Sequence, residues 1–168
     1  MKLPKINYLY YIQPEKGFFL VYLEGNVPSS KTNRQLVIKD GKPISFPSTE
    51  ARKWMKNAVD ALKYIMQDQP PLQFQFPVDV FLYFIRKDRR RFDYINAAQT
   101  VLDALVKAGV LPDDGCYTLR PVFGGHEVNK EQAGVIICIT NQNPLQRYAM
   151  ASSIENLYSL LELKKYDI

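Results

Sequence analysis

Residues 80–85 read Val-Phe-Leu-Tyr-Phe-Ile, six apolar or aromatic side chains in succession. Successive side chains of a strand point to opposite faces, so a strand with this run is apolar on both sides. Such a strand belongs inside a sheet and is covered above and below. The rest of the chain therefore has to supply neighbouring strands and covering helices.

Residues 73–85 together read as one long strand. Its first half alternates Phe74, Phe76 and Val78 against Gln73, Gln75 and Asp79. Residues 134–140, GVIICIT, read as another strand, and Cys138 lies within it. Residues 5–12 and 17–24 are rich in Tyr, Phe, Ile and Val and read as a strand pair, with Pro14 to Gly17 as the turn. Lys39-Asp40-Gly41-Lys42 reads as a second hairpin turn, because Asp-Gly readily takes positive φ.

Three helices are expected. Residues 48–67 start at a Ser48 or Thr49 cap with Glu50 in the first turn. Their buried face is Ala51, Trp54, Met55, Ala58, Leu62, Ile65 and Met66, with Arg52, Lys53, Lys56 and Lys63 off that face. Residues 94–108 carry a core stripe of Ile95, Ala98, Leu102, Leu105 and Val106, and Gly109 stops them. Residues 145–165 repeat Met150, Ile154, Leu157 and Leu161, a stripe that suits packing on the chain's own sheet or a dimer seam. The expected architecture is a single α+β domain over residues 1–168, a small mixed sheet packed by helices.

A chain of 168 residues is long enough to bury a real core. No apolar run approaches the roughly 20 residues that span a bilayer. The first residues, Met1-Lys2-Leu3-Pro4-Lys5, lack the apolar centre of a signal peptide, so a cytoplasmic protein with no membrane partner is expected. Cys116 and Cys138 form no CxxC pair and are expected as free thiols. The formal charge is +5, with 22 Lys and Arg against 17 acids, a balance that permits a polyanionic partner without requiring one. Its distribution is sharper: Arg86-Lys87-Asp88-Arg89-Arg90-Arg91 places five cations in six residues. That run is either a solvated turn or a phosphate-binding strip.

Acidic residues follow closely. Asp93, Asn96 and Asp103 lie three and ten residues apart, one side of the second helix, and Leu111-Pro112-Asp113-Asp114-Gly115 adds an acidic turn. Oxygen ligands gathered in this way suit Mg²⁺, which takes one or two carboxylates and fills its octahedron with water and phosphate. The same residues also have plain structural uses: Asp93 as a helix cap, Asp113-Asp114-Gly115 as a turn. His126 is the only histidine, which excludes a His-pair metal site. Its setting, Gly124-Gly125-His126-Glu127, reads as a flexible loop with an ordinary surface role.

The segment Arg90-Arg91-Phe92-Asp93-Tyr94-Ile95-Asn96-Ala97-Ala98-Gln99, continued by Leu102-Asp103-Ala104-Leu105 and by Gly109 to Asp114, resembles the signature of RusA-like Holliday-junction resolvases. That signature runs Arg-Asp-x-Asp-Asn-x-x-Lys, then Asp-Ala-Leu, a glycine and Asp-Asp, and the spacing between the pieces is matched as well. Val27-Pro28-Ser29-Ser30-Lys31-Thr32-Asn33 is similar to the family's early Pro-x-Ser-Lys-x-Asn stretch, and Phe46-Pro47-Ser48 precedes a Trp-containing helix as expected. The resemblance covers about residues 18–140.

The resemblance implies a small α+β homodimer that binds four-way DNA junctions and cuts paired strands with Mg²⁺. It also implies a role in recombination and repair, often carried by phages and prophages. Carried over by position, it makes Asp93, Asn96, Asp113 and Asp114 the catalytic set and Asp93, Asp103, Asp113 and Asp114 the metal ligands. Lys31, Asn33, Arg89, Arg90, Arg91 and Gln99 become the expected DNA contacts. Two positions depart: Ile95 replaces the second acid of the signature and Gln99 its lysine. Isoleucine cannot ligate a metal and glutamine carries no charge. Three readings stay open: a Mg²⁺-dependent endonuclease with a shifted ligand set, a junction-binding protein without cleavage, and a basic structural domain whose acids are caps and turns.

Overall fold

The computed structural model of the chain describes residues 3–29 and 34–141. Its centre is a five-stranded mixed sheet in the order β1-β2-β7-β5-β6. The strands are β1 (Tyr8–Gln13), β2 (Phe18–Glu24), β5 (Val78–Arg86), β6 (Leu119–Val128) and β7 (Gly134–Thr140). A separate antiparallel pair, β3 (Arg34–Lys39) and β4 (Lys42–Pro47), turns at Asp40 and Gly41, both with positive φ as the sequence predicts. β1 and β2 are joined by one short 3₁₀ turn, Pro14–Lys16, which ends on left-handed Gly17.

β5 lies between β7 and β6 and is buried on both faces. On one face Val80, Leu82 and Phe84 join Phe19, Val21 and Leu23 of β2 and Val135, Ile137 and Ile139 of β7. Two helices cover this face, α1 (Thr49–Met66) and α2 (Tyr94–Ala108). On the other face Phe81 and Ile85 pack with Phe18, Leu20, Tyr22, Ile136 and Cys138. Cys138 is buried and Cys116 exposed, and both are free thiols.

α1 begins where its Ser48 hydroxyl accepts from the Ala51 amide at 3.1 Å, and its lysines and Arg52 face solvent as expected. α2 ends on Gly109, whose left-handed backbone lets its N–H reach the carbonyls of Leu105 and Val106. β5 and β6 are parallel, and α2 lies in the connection between them, since parallel neighbours need a crossover. Among the described residues no helix is long and apolar enough to cross a membrane.

Three expectations are corrected. Residues 73–77 are not part of the long strand, which starts at Val78; Pro77 has no N–H to give the ladder. The segment holding Gly124, Gly125 and His126 is strand β6, not a flexible loop. β6 is an edge strand, so Pro121 costs no second ladder, and a register shift between Leu82 and Tyr83 absorbs Gly124 as a bulge. Ile95 does not join the core stripe of α2 and is 70% exposed. The buried face of α2 is rotated onto Ala97, Ala98, Val101, Leu102, Ala104 and Leu105. The expected helix over residues 145–165 lies outside the described residues.

Candidate functional site

β5 ends at Arg86, and the basic run follows before α2 begins. Arg86, Lys87, Arg90 and Arg91 line a cavity of about 740 Å³, together with Asp88, Asp93 and Ile95. Arg89, Arg90 and Arg91 are all exposed. The Arg90 amide donates to Asp88 Oδ1 at 3.0 Å, while its guanidinium stays 3.9 Å from the same carboxylate and 87% exposed. An ion pair so open is worth little, which leaves Arg90 available to another anion. Lys31 and Asn33 lie outside the described residues.

Asp93 caps α2. Its Oδ1 accepts from the amides of Ile95 at 2.9 Å and Asn96 at 3.3 Å. Both cap bonds fall on one oxygen, Oδ1, and Asp93 is among the residues lining the cavity. Asn96, expected on one side of α2 with Asp93 and Asp103, away from the apolar stripe, is instead only 8% exposed. Its carbonyl accepts from the Thr100 hydroxyl, which also donates to the Pro28 carbonyl at 3.0 Å and so ties α2 to the strand-end segment before residue 30.

One turn further along α2, Gln99 does what spacing could not foretell. Its Nε2 donates to Asp103 Oδ1 at 2.9 Å and to Asp114 Oδ2 at 3.0 Å. The position expected to hold a lysine thus holds an amide that draws the two carboxylates together. Asp113, the neighbour of Asp114, turns the other way. Its Oδ1 accepts from Thr118 Oγ1 at 2.7 Å and from the Gly115 amide at 2.6 Å. Those bonds, the Thr118 hydroxyl foremost, hold its carboxyl below the usual range.

Gln99 and Asp114 line a second cavity of about 450 Å³, with Cys116 and Phe123 in its wall. Ile95 lines both cavities. Its exposed side chain stands between the cation-lined cavity and the cavity that holds Gln99 and Asp114. Among the described residues no three His, Cys, Asp or Glu side chains gather as a metal-binding group. What does gather is Asp103, Gln99 and Asp114. If the Gln99 amide turns over, its carbonyl oxygen replaces the NH₂ group between the carboxylates, a set of hard oxygen donors that suits Mg²⁺.

An aromatic cluster flanks this border and was not foreseen. Phe92 and Tyr94 have ring centres 4.8 Å apart. Phe84 backs Phe92 at 5.8 Å, and Phe123 meets Tyr94 at 5.6 Å. His126 packs edge-on to Phe92 at 5.3 Å, and its Nδ1 lies 2.5 Å from the Tyr94 hydroxyl. The histidine therefore has a specific partner at the start of α2. The signal for it was hidden because Gly124-Gly125 imitates a loop. Compared with protein-family models and with curated proteins, the chain matches none.

Proposed function

We propose that this protein is a RusA-like, Mg²⁺-dependent endodeoxyribonuclease that binds four-way DNA junctions and resolves them in recombination and repair. One observation supports the reading: a cation-lined cavity and a second cavity walled by Gln99 and Asp114 share Ile95 in their linings. Phosphates need the first and a divalent cation the second. Arg90 and Arg91 would hold the DNA backbone and set its register, without reading sequence. Asp103, Asp114 and Gln99 would hold Mg²⁺, and Asp93 lines the neighbouring cation-lined cavity. Bound there, Mg²⁺ supplies a Lewis acid for a phosphate oxygen and lowers the pKa of an attacking water.

A second reading, junction binding without cleavage, is favoured by Ile95 itself. Its exposed side chain occupies the position of an acid and offers no ligand atom. Incubating a mobile four-way junction with the protein in Mg²⁺ and in EDTA separates the readings. Mg²⁺-dependent paired cuts support the nuclease. Retention of the junction with no cuts selects the binding protein. No retention even at low salt removes both and leaves a basic structural domain.

The proposal includes a two-fold dimer, because a junction presents two symmetric strands and a symmetric pair of chains presents the same groups to each. Light scattering is expected to give about twice the 19.4 kDa of one chain. A single-chain mass that junction DNA leaves unchanged would rule the dimer out.

A further inference from the structure

Arg86 closes β5 and lines the larger cavity, yet among the described residues no carboxylate forms a salt bridge with it. Two contacts hold its guanidinium in place. Nη1 donates to the Val27 carbonyl at 2.9 Å, and the guanidinium carbon sits 4.4 Å from the centre of the Phe92 ring. Nε is shielded from solvent and has no hydrogen-bond partner among the described residues. Burial pulls the pKa of Arg86 below the usual arginine value, and Asp88 offsets part of that effect.

These contacts have a geometric consequence. Nε–H and Nη2–H share one edge of the guanidinium plane, the edge that grips two oxygens of an anion side by side. Val27 and Phe92 occupy the remaining edge and one face, so the gripping edge is the part left unmatched. A half-buried cation with an unmatched donor carries a desolvation cost that an opposite charge would offset. Charge in the cavity favours an anion with more than one negative oxygen: Arg86, Lys87, Arg90 and Arg91 stand against Asp88 and Asp93.

We propose that Arg86 anchors a phosphate site in this cavity, gripping one phosphate group through its Nε–Nη2 edge. Arg90 and Arg91 neutralise the remaining charge. Seating the anion needs the guanidinium to swing on the Phe92 face far enough to uncover Nε. The site rests on the DNA-binding reading only for the source of the phosphate, which is a strand backbone or free phosphate. A lysine at this position would supply charge without the fork.

The test uses the full chain labelled with ¹⁵N-arginine, with the Arg86 Nε–H resonance assigned by its loss in Arg86→Lys. Junction DNA and inorganic phosphate are titrated separately, each against sodium chloride of equal ionic strength. A saturable downfield shift of the Arg86 resonance with DNA supports the site and its backbone source. A shift with phosphate in a protein that retains no DNA supports the site with free phosphate as its source and removes the DNA reading. DNA binding that leaves Arg86 unmoved overturns the site while the DNA reading stands, and no shift with either ligand overturns it as well. In a protein that binds DNA, Arg86→Met should flatten the slope of log affinity against log salt by about 0.9, one phosphate contact on duplex. Arg86→Lys should retain the slope and bind more weakly, and thermal melting checks that both variants fold.

Discussion

Gln99 and Asp114 are 15 residues apart in the chain and meet through a 3.0 Å hydrogen bond from Nε2 to Oδ2. The same amide donates to Asp103, so one neutral side chain holds two carboxylates. A lysine there would neutralise half of their charge. An amide supplies only a dipole, and the pair keeps its full negative charge for a cation. The site thus offers no acid at position 95 and no cation at position 99 to offset the pair.

This makes Ile95→Asp the most informative substitution. Ile95 is 70% exposed, so its removal should change stability by no more than about 0.5 kcal/mol. The new carboxylate would stand between the two cavities. Mg²⁺-dependent junction cleavage is expected to rise at least tenfold over the parent, read from a gel of labelled junction strands. Equal cleavage in both proteins would show that position 95 lies outside the metal shell.

Replacing Arg89, Arg90 and Arg91 together by alanine should weaken DNA binding without unfolding the protein, since all three are exposed. Each lost phosphate contact should flatten the salt slope by roughly one unit. Affinity measured at four salt concentrations gives that slope directly. A slope equal to that of the parent would take these arginines out of the interface.

Asp113 links stability to acid. Its carboxyl is held below the ordinary value of 3.8 by Thr118 and Gly115. The charged form is therefore favoured by folding, and the stabilisation is present above that ordinary value. It disappears as the pH falls through the lower, folded-state value. Relative to Asp113→Asn, the parent should melt higher at pH 7, and the gap should close below about pH 4. A gap that stays constant down to pH 2.5 would mean that the hydrogen bonds, not the charge, matter.

Gly134 opens β7 against β2, and a Cβ there would run into the Leu23 carbonyl and the Tyr22 ring. Backbone cannot yield as a flexible side chain can. Gly134→Ala is expected to cost about 1–3 kcal/mol by overpacking, measured as a lower urea midpoint at unchanged m-value. Wild-type stability would show that the two strands can separate locally.

The elements that were legible are those with local causes. The Asp-Gly turn at Asp40, the Ser48 and Asp93 caps and the Gly109 stop each rest on the conformational preference of one or two residues. The run at residues 80–85 placed β5 inside the sheet because no other position buries both of its faces. Strand β6 was illegible for the converse reason. Pro121, Gly124 and Gly125 are poor strand residues, and only the edge position and the bulge make them acceptable.

The site divides along the same line. Sequence alone determined which residue types are present, that His126 has no second histidine to join it, and that cations and acids adjoin along the chain. It also offered Asp93 as the cap just before α2, since a cap bonds to amides two and three positions away. Only the tertiary structure decided which face of α2 is buried, because that depends on where the sheet lies. That choice put Ile95 in solvent and Asn96 inside. It also decided that Asp114 meets Gln99 while Asp113 turns to Thr118. Adjacent carboxylates in a turn have the same local preferences, and what separates them is which partner the fold brings within hydrogen-bonding reach.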